Sequence, residues 1–383
     1  MSFDGTSIQN AIYISGESEW PVDPAEWEAL AEEQLDPGAF GYIAGGAGGE
    51  ATMRANREAF ERRRIRPRML TGNTQRDLSV EVLGTQSPAP FLMAPIGVLS
   101  IAHEEGELAA ARAAAAQGIP FCLSTAASSS IEDIAQAMGD APRWFQLYWI
   151  NDREIVASLL QRAGLHDFSA VVVTLDTPIL GWRPRDLRRA YLPFMKGEGC
   201  AQFFSDPVFR ERLANPPEED MLTAAATMLT TFPHLALTWD DLTWLRELTD
   251  LPMLVKGVLT AEDAQRAIAA GVDGIIVSNH GGRQVDGAVA ALDALVDVRA
   301  GVGEDATVLM DGGIRHGADV VKAMALGADA VLVGRPYAYG LAVGGKEGVE
   351  AVLQQLWADT DITMALAGMS SVRELDGSVL AES

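Results

Sequence analysis

Residues 274–284 read GIIVSNHGGRQ, an apolar run that passes directly into a histidine and an arginine. The run at 274–277 is typical of a buried strand, and His280 and Arg283 follow where that strand ends. A neutral imidazole can accept a proton, and a guanidinium can hold a carboxylate through a forked contact. The stretch therefore predicts a base beside an anion holder, although a loop histidine next to a surface arginine would give the same pattern.

Seven further apolar runs resemble this one and alternate with alanine-rich helical stretches. The eight runs lie at 91–94, 119–123, 144–147, 170–175, 253–256, 274–277, 307–310 and 330–333. Continuous apolar strands that alternate with helices indicate parallel strands covered by helices. Eight strands is the number that closes a (β/α)8 TIM barrel, so we predict an α/β fold of that class. A doubly wound open sheet is the alternative, but it does not need eight strands.

The connection after the fourth run breaks this rhythm. It spans roughly eighty residues, where the other intervals leave about twenty to thirty. A long connection on the catalytic face of a barrel is usually a lid, a substrate cover or an oligomer contact, with a disordered loop as the alternative. We predict a single domain over 1–383, with a helical N-terminal segment at 1–85, a barrel at 86–375 and a lid insertion at about 181–241.

The composition argues against several classes of partner. A net charge of -24, from 53 acidic and 29 basic residues, repels nucleic acid and anionic membrane surfaces. The N-terminus lacks the basic and apolar pattern of a secretory signal, and no apolar stretch approaches the ~18 residues of a membrane span. Cys122 and Cys200 fit neither a disulfide framework nor a metal site. These features predict a soluble, cytoplasmic protein without a metal.

Polar residues gather where the predicted strands end, which in a barrel is the catalytic face. Two segments place glycine amides and arginines after the last two strands, where barrels commonly bind phosphate: Asp311-Gly312-Gly313-Ile314-Arg315 and Gly334-Arg335. Other strand ends carry donors and acceptors that suit a flat polar heterocycle: Ser124, Gln146, Thr174 and Lys256. Any one of these could be a strand-end cap, but polar groups at almost every end together favour a binding site.

Lys256 is one of four lysines and ends an apolar strand. An aldolase-like barrel would use such a lysine to form a Schiff base. A redox barrel would instead use its charge to stabilise a reduced cofactor. The residues alone leave both chemistries open.

These segments resemble a known family, the FMN-dependent L-2-hydroxy acid oxidases, which includes glycolate oxidase, lactate oxidase and lactate monooxygenase. The resemblance runs from about Pro24 to Leu375 and is most specific in four motifs: 278–284, 311–315, Gln146-Leu147-Tyr148 and Val255-Lys256-Gly257. Three motifs bring it nearest to the lactate 2-monooxygenase subgroup: 42–46, 94–98 and 181–186. The resemblance implies FMN as cofactor, a small-molecule 2-hydroxy acid and O2 as substrates, and a homo-oligomer, either a tetramer or an octamer.

The resemblance also implies roles in chemistry. His280 would be the base that accepts the substrate's proton, and Asp176 would hold its imidazole and stabilise the protonated form. Lys256 would sit beside the flavin N1 and C2 carbonyl and raise the electron affinity of the ring. The substrate carboxylate and hydroxyl would be bound by Tyr42, Tyr148, Arg183 and Arg283.

Cofactor contacts follow from the same resemblance. The flavin ring and ribityl chain would be lined by Pro95, Ile96, Gly97, Ser124, Gln146, Thr174 and Ser278. Asp311 would hold the ribityl hydroxyls. The phosphate would be held by glycine amides and two arginines: Gly312, Gly313, Arg315, Gly334 and Arg335.

Gly97 departs from most oxidases of the family, which carry alanine there, and matches the monooxygenase subgroup. The missing methyl would leave room for the keto acid to stay beside the reduced flavin, so that peroxide formed there decarboxylates it. L-lactate would then give acetate, CO2 and water. The alternatives are an L-lactate oxidase that releases pyruvate and H2O2, a mandelate-type dehydrogenase and, more remotely, a Schiff-base lyase. Three aromatic residues are candidates either for narrowing the pocket to a small acid or for accepting an aromatic acid such as mandelate: Trp182, Phe194 and Trp239.

Overall fold

The computed structural model describes residues 4–382, so residues 1–3 and 383 of the predicted single domain lie outside the described residues. The chain begins with four helices, a short strand and a β-hairpin: α1 (Gly5–Ser15), α2 (Pro24–Gln34), α3 (Pro37–Ala44), α4 (Ala51–Glu61), β1 (Arg63–Ile65), β2 (Val80–Val82) and β3 (Thr85–Ser87). Two Asp-Pro pairs start two of these helices. The carboxylates of Asp23 and Asp36 cap α2 and α3, and a proline occupies the first turn of each.

Eight parallel strands form a closed barrel: β4 (Phe91–Met93), β5 (Phe121–Ser124), β6 (Arg143–Tyr148), β7 (Val171–Thr174), β8 (Met253–Val258), β9 (Gly274–Val277), β10 (Thr307–Met310) and β11 (Ala330–Val333). β11 pairs with β4 and completes the ring. Each strand overlaps one predicted apolar run, so the (β/α)8 prediction is confirmed. The second strand of the barrel, β5, begins at Phe121, two residues after the start of the predicted run 119–123, because Pro120 has no amide proton to donate.

Helices connect the strands and cover the outside of the barrel: α5 (Gly106–Gln117), α6 (Ile131–Met138), α7 (Arg153–Leu165), α8 (Pro184–Arg189), α9 (Ala201–Phe204), α10 (Pro207–Glu211), α11 (Met221–Thr231), α12 (Asp241–Arg246), α13 (Ala261–Ala269), α14 (Ala291–Val302), α15 (Gly317–Ala325) and α16 (Arg335–Ala367). A last strand, β12 (Leu380–Glu382), pairs antiparallel with β1. Across residues 4–382, no helix has both the length and the apolar character to cross a membrane.

The hairpin of β2 and β3 lies at the N-terminal end of the barrel. The indole Nε1 of Trp144 donates to the hydroxyl of Thr85 at 2.9 Å, and that hydroxyl lies 3.1 Å from the hydroxyl of Ser169. Both contacts are made where β6 and β7 begin. The hairpin therefore closes this end, and the C-terminal ends of the strands are left for a ligand.

Five short helices, α8 to α12, occupy the long connection between β7 and β8, so this insertion is folded. Its attachment to the barrel is polar and buried. Asp206 is fully buried and pairs with Arg162 of α7 at 3.1 Å. The side-chain amide of Gln202 donates to the carbonyl oxygen of Ser129 at 2.8 Å. Because a buried charge that loses its partner is costly, these contacts fix the insertion on the barrel.

Candidate active site

A cavity of about 370 Å³ lies at the C-terminal ends of the barrel strands, a volume suited to a small molecule. Fifteen of the residues predicted for the site line it: Tyr42, Pro95, Ile96, Gly97, Tyr148, Arg183, Lys256, His280, Arg283, Asp311, Gly312, Gly313, Arg315, Gly334 and Arg335. The other five lie behind this wall: Ser124, Gln146, Thr174, Asp176 and Ser278.

His280 and Asp176 form a hydrogen-bonded pair beside the cavity. The Nδ1 atom of His280 lies 2.8 Å from Oδ1 of Asp176, and the hydroxyl of Thr177 donates to the same oxygen at 3.0 Å. A carboxylate partner places the proton on Nδ1 and leaves a lone pair on Nε2. The amide of His280 donates to the hydroxyl of Ser278 at 3.0 Å, which fixes the backbone behind the ring. The ring therefore offers the cavity a proton acceptor.

Electrostatics keep this imidazole neutral and its partner ionised. Burial, together with the charges of Lys256 and Arg183, lowers the pKa of His280 although Asp176 raises it. Burial alone would raise the pKa of Asp176, but His280 and Lys256 together hold it below its ordinary value. At neutral pH the pair is a neutral base beside an anion, and the anion stabilises the imidazolium that forms when the base takes a proton.

Lys256 is a buried cation with two partners. Its Nζ atom donates to the hydroxyl of Ser278 at 2.9 Å and lies 3.1 Å from Oδ2 of Asp311. Burial lowers the pKa of Lys256, but Asp311 and Asp176 together raise it above its ordinary value. Because a protonated amine is not a nucleophile, the structure favours charge stabilisation over the Schiff-base alternative.

Two arginines lie next to each other on the cavity wall. The Arg283 guanidinium stacks 5.0 Å from the ring centre of Tyr42 and donates to the carbonyl oxygen of Gly45 at 2.9 Å. The Nε of Arg183 donates to the carbonyl oxygen of Arg283 at 3.1 Å. Burial, with Arg183 alongside, lowers the pKa of Arg283 to about 9, so it stays charged at neutral pH. Within residues 4–382, both guanidinium groups donate their hydrogen bonds to backbone or amide oxygens, and Asp186 acts on them only through its nearby charge, which suits an incoming carboxylate.

Behind the wall, three predicted polar side chains form one hydrogen-bonded row. The hydroxyl of Ser124 donates to Oε1 of Gln146 at 3.0 Å, and Nε2 of Gln146 donates to the hydroxyl of Thr174 at 3.0 Å. The row crosses the neighbouring strands β5, β6 and β7, and all three residues are buried. Their polar atoms are held in fixed directions by one another.

Gly312 and Gly313 form the turn after β10, with φ angles of 102° and 92° that favour glycine. A Cβ on Gly313 would come within 3.0 Å of the carbonyl oxygen of Asn56 in α4. The turn thus combines a left-handed backbone with a close approach to a helix. Arg315 follows it and lines the same end of the cavity.

Arg335 lines the cavity and is also hydrogen-bonded within the protein. Its side chain donates to the carbonyl oxygens of Ile43 at 3.1 Å, Gly45 at 3.0 Å and Gly281 at 3.0 Å. The guanidinium therefore joins α3 to the loop after β9. With these donors occupied, its contact to a phosphate stays a prediction.

Comparison with known proteins identifies the family. A model of the FMN-dependent dehydrogenases matches residues 31–382. This chain is an FMN-dependent dehydrogenase. An FMN-dependent alpha-hydroxy acid dehydrogenase from Penicillium citrinum is 45% identical over 97% of this chain and 92% of its own length. An L-lactate oxidase from Lysinibacillus sphaericus is 42% identical over 94% and 93%.

A solved structure agrees in fold and sequence. The soluble mutant of the membrane-associated (S)-mandelate dehydrogenase from Pseudomonas putida matches with a TM-score of 0.84 at 39% identity, covering 94% of this chain and 99% of that one. The FMN-dependent dehydrogenase described here therefore oxidises 2-hydroxy acids with FMN.

Polar groups of the cavity wall suit the parts of FMN. Oδ1 of Asp311 is buried and accepts no hydrogen bond from residues 4–382, so a donor from a ligand, such as a ribityl hydroxyl, would satisfy it. The backbone at Gly312 and Gly313 and the charge of Arg315 would hold a phosphate. Lys256 would place a positive charge beside the ring system.

Gly97 is one of the predicted residues that line the cavity. The structure also gives a packing reason for glycine at this position. A Cβ at this position would lie 2.5 Å from the carbonyl oxygen of Ala126 and 2.8 Å from its Cβ. Glycine is therefore required by the close approach of the loops after β4 and β5. A Gly97→Ala variant would move backbone as well as fill space, so it cannot by itself test the predicted room for product.

Several wall residues were missed because they come from the insertion: Ile179, Leu180, Leu229, Phe232 and Pro233. Of the three aromatic candidates, Phe194 lines the cavity, whereas Trp182 is 74% exposed and Trp239 lies away from the wall. Thr177 was also missed, although its place beside Asp176 in the sequence was a usable signal. The insertion residues gave none, because apolar residues in loops and short helices are equally typical of ordinary packing.

Replacing His280 with asparagine should nearly abolish flavin reduction in a folded protein. Asparagine tolerates the left-handed backbone at this position, where φ is 57°, but offers no base. We expect anaerobic reduction by a 2-hydroxy acid to slow by about 10² to 10⁴, measured by stopped-flow absorbance. In the wild type, the lowered pKa of His280 confines the loss of rate to pH values below the ordinary histidine range. A variant that reduces at the wild-type rate would remove His280 from the role of base.

Proposed function

We propose that this enzyme oxidises a small L-2-hydroxy acid, L-lactate above all, and passes the electrons to O2. The observation that carries the proposal is the cavity at the strand ends, which the neutral base His280 and the cations Arg283 and Arg183 line together. A 2-hydroxy acid carries an acidic group and a hydroxyl on adjacent carbons. A base and an anion holder side by side match that arrangement.

In the proposed reaction, Arg283 binds the substrate carboxylate, with Arg183 beside it. The Nε2 atom of His280 accepts the proton that the substrate releases, and Asp176, 2.8 Å from Nδ1, stabilises the resulting imidazolium. FMN, when bound, supplies the acceptor for two electrons. Lys256 offsets negative charge near the ring, and the insertion keeps bulk water from the reacting groups.

The wall from the insertion supports a small substrate. Phe194 and Phe232 lie with ring centres 6.2 Å apart, and Phe232 lies 5.9 Å from Tyr148. Leu229 and Pro233 complete this apolar side. We propose that this apolar side receives a methyl group rather than a phenyl group, so that lactate is the expected substrate rather than mandelate.

Two fates of the keto acid are compatible with this site. The monooxygenase fate, in which peroxide decarboxylates bound pyruvate to acetate, CO2 and water, is supported by the cover that Phe194 and Phe232 provide. The oxidase fate, with release of pyruvate and H2O2, is supported by the 42% identity to an L-lactate oxidase. Gly97 does not separate the two, since Ala126 already accounts for it.

Opening the wall should widen the substrate range. We expect Phe232→Ala to raise kcat/KM for L-mandelate relative to L-lactate by about tenfold or more, because even one methylene in an apolar pocket is worth about 1–3 kcal/mol. Steady-state rates with both substrates measure the ratio. Trp182→Ala, which removes an exposed aromatic of the same insertion, is the matched control and should leave the ratio unchanged. A wild-type enzyme that prefers mandelate would contradict the small-substrate proposal.

Product analysis should separate the two fates. After anaerobic reduction with L-lactate, O2 is admitted and acetate, pyruvate and peroxide are assayed from the same tube. If the cover retains pyruvate, the wild type gives acetate without free peroxide, and Phe232→Ala shifts the products towards pyruvate and peroxide. Stoichiometric pyruvate and peroxide from the wild type would establish the oxidase. A flavin that lactate does not reduce would refute lactate as the substrate.

A further inference from the structure

Glu107, at the start of α5, is a wholly buried carboxyl group outside the reaction machinery described above. It is 0% exposed, and its Oε1 accepts a hydrogen bond from the amide of Leu99 at 2.9 Å. Burial raises the pKa of Glu107 to about 7, with the nearby charge of Glu198 adding to the shift. An acid is rarely kept in such a place unless its hydrogen bond serves a purpose.

The turn that Glu107 contacts is strained. Val98, a β-branched residue, adopts a left-handed backbone with φ of 62°. Its amide donates to the carbonyl oxygen of Ala126 at 2.9 Å, and the next amide, that of Leu99, is the one held by Glu107. Gly97 precedes them and has no space for a Cβ. Such a conformation persists only where its surroundings fix it, and here they do so with two consecutive amides.

This turn also forms one wall of the cofactor cavity. The four residues between β4 and Val98, at 94–97, all line it. Their carbonyl and amide groups are fixed at the other end by the hydroxyl of Tyr337, which donates to the carbonyl oxygen of Ala94 at 2.8 Å. A displacement at Leu99 would therefore reach the cavity through a short segment held at both ends.

The insertion rests on the same turn. The hydroxyls of Ser100 and Ser128 lie 2.6 Å apart, and the amide of Gly199 donates to Ser128 at 2.9 Å. The hydroxyl of Ser100 also bonds the carboxylate of Glu198. A Cβ on Gly199 would lie 2.8 Å from the side chain of Val98, so insertion and turn are in direct contact.

We propose that Glu107 is a positioning residue for the flavin reaction. By accepting a hydrogen bond from the amide of Leu99, it fixes the strained turn at 97–99. Through that turn it positions both the wall of the cofactor cavity and the surface on which the insertion packs. The carboxyl does not touch the cavity and acts only through the backbone. The required property is an oxygen acceptor at the right length rather than a negative charge.

Three variants separate these properties. Glu107→Gln keeps the length and the acceptor, Glu107→Asp keeps the charge but is one methylene too short, and Glu107→Met keeps the length without an acceptor. Each apoprotein is titrated with FMN, and the visible circular dichroism of the bound flavin is recorded. No hydroxy acid is present, so the result is independent of which substrate the enzyme uses. Glu104→Met, at an exposed acid three residues earlier, is the control.

We expect the glutamine variant and the control to bind FMN within about twofold of the wild type. The aspartate and methionine variants should bind at least about tenfold more weakly, with an altered flavin signal, because the wall is no longer fixed. Wild-type affinity and flavin signal in the aspartate variant would overturn the proposal, even if the methionine variant fails to fold. Equal loss in the glutamine variant would also overturn it, as would a lowered Tm with unchanged FMN affinity in all three.

Discussion

Closure of the barrel is the constraint on which the rest of this structure depends. A parallel strand can satisfy its backbone only through neighbours on both sides, and the pairing of β11 with β4 supplies the last of these. Closure also brings eight C-terminal strand ends into one ring. Asp176, His280 and Asp311 follow β7, β9 and β10, and Lys256 lies near the end of β8; they become neighbours only because those strands pair in order.

Within that ring, charge is arranged in two layers. Lys256 is compensated by the carboxylates of Asp311 and Asp176, and the neutral imidazole of His280 is hydrogen-bonded to Asp176. Arg283 and Arg183 are matched chiefly by backbone and amide oxygens. Buried cations paired with neutral acceptors retain attraction for an anion, whereas compensated pairs do not. In the proposed reaction, the acidic substrate would therefore bind at this wall, with the uncharged base beside it.

The sequence predicted the strands and the strand-end chemistry because both are local. Apolar runs such as 330–333 mark the buried strands. A lysine or histidine at the end of such a run, or shortly after it, faces the mouth of a barrel. What could not be predicted depends on contacts between distant segments. The sequence around Gly97 does not indicate its close approach to the carbonyl oxygen of Ala126. The sequence around Arg335 does not indicate its hydrogen bond to a carbonyl oxygen of α3. Phe232 was missed for the same reason, since only the folded path of the insertion brings it over the cavity.

Arg335 has a consequence for biosynthesis. It joins the last barrel helix to Ile43, a residue 292 positions earlier, and to the loop that carries His280. While a ribosome is still translating the C-terminal part of the chain, the segment that carries Tyr42 lacks the hydrogen bonds from Arg335. We therefore expect the cofactor site to be completed only after the start of α16 has emerged.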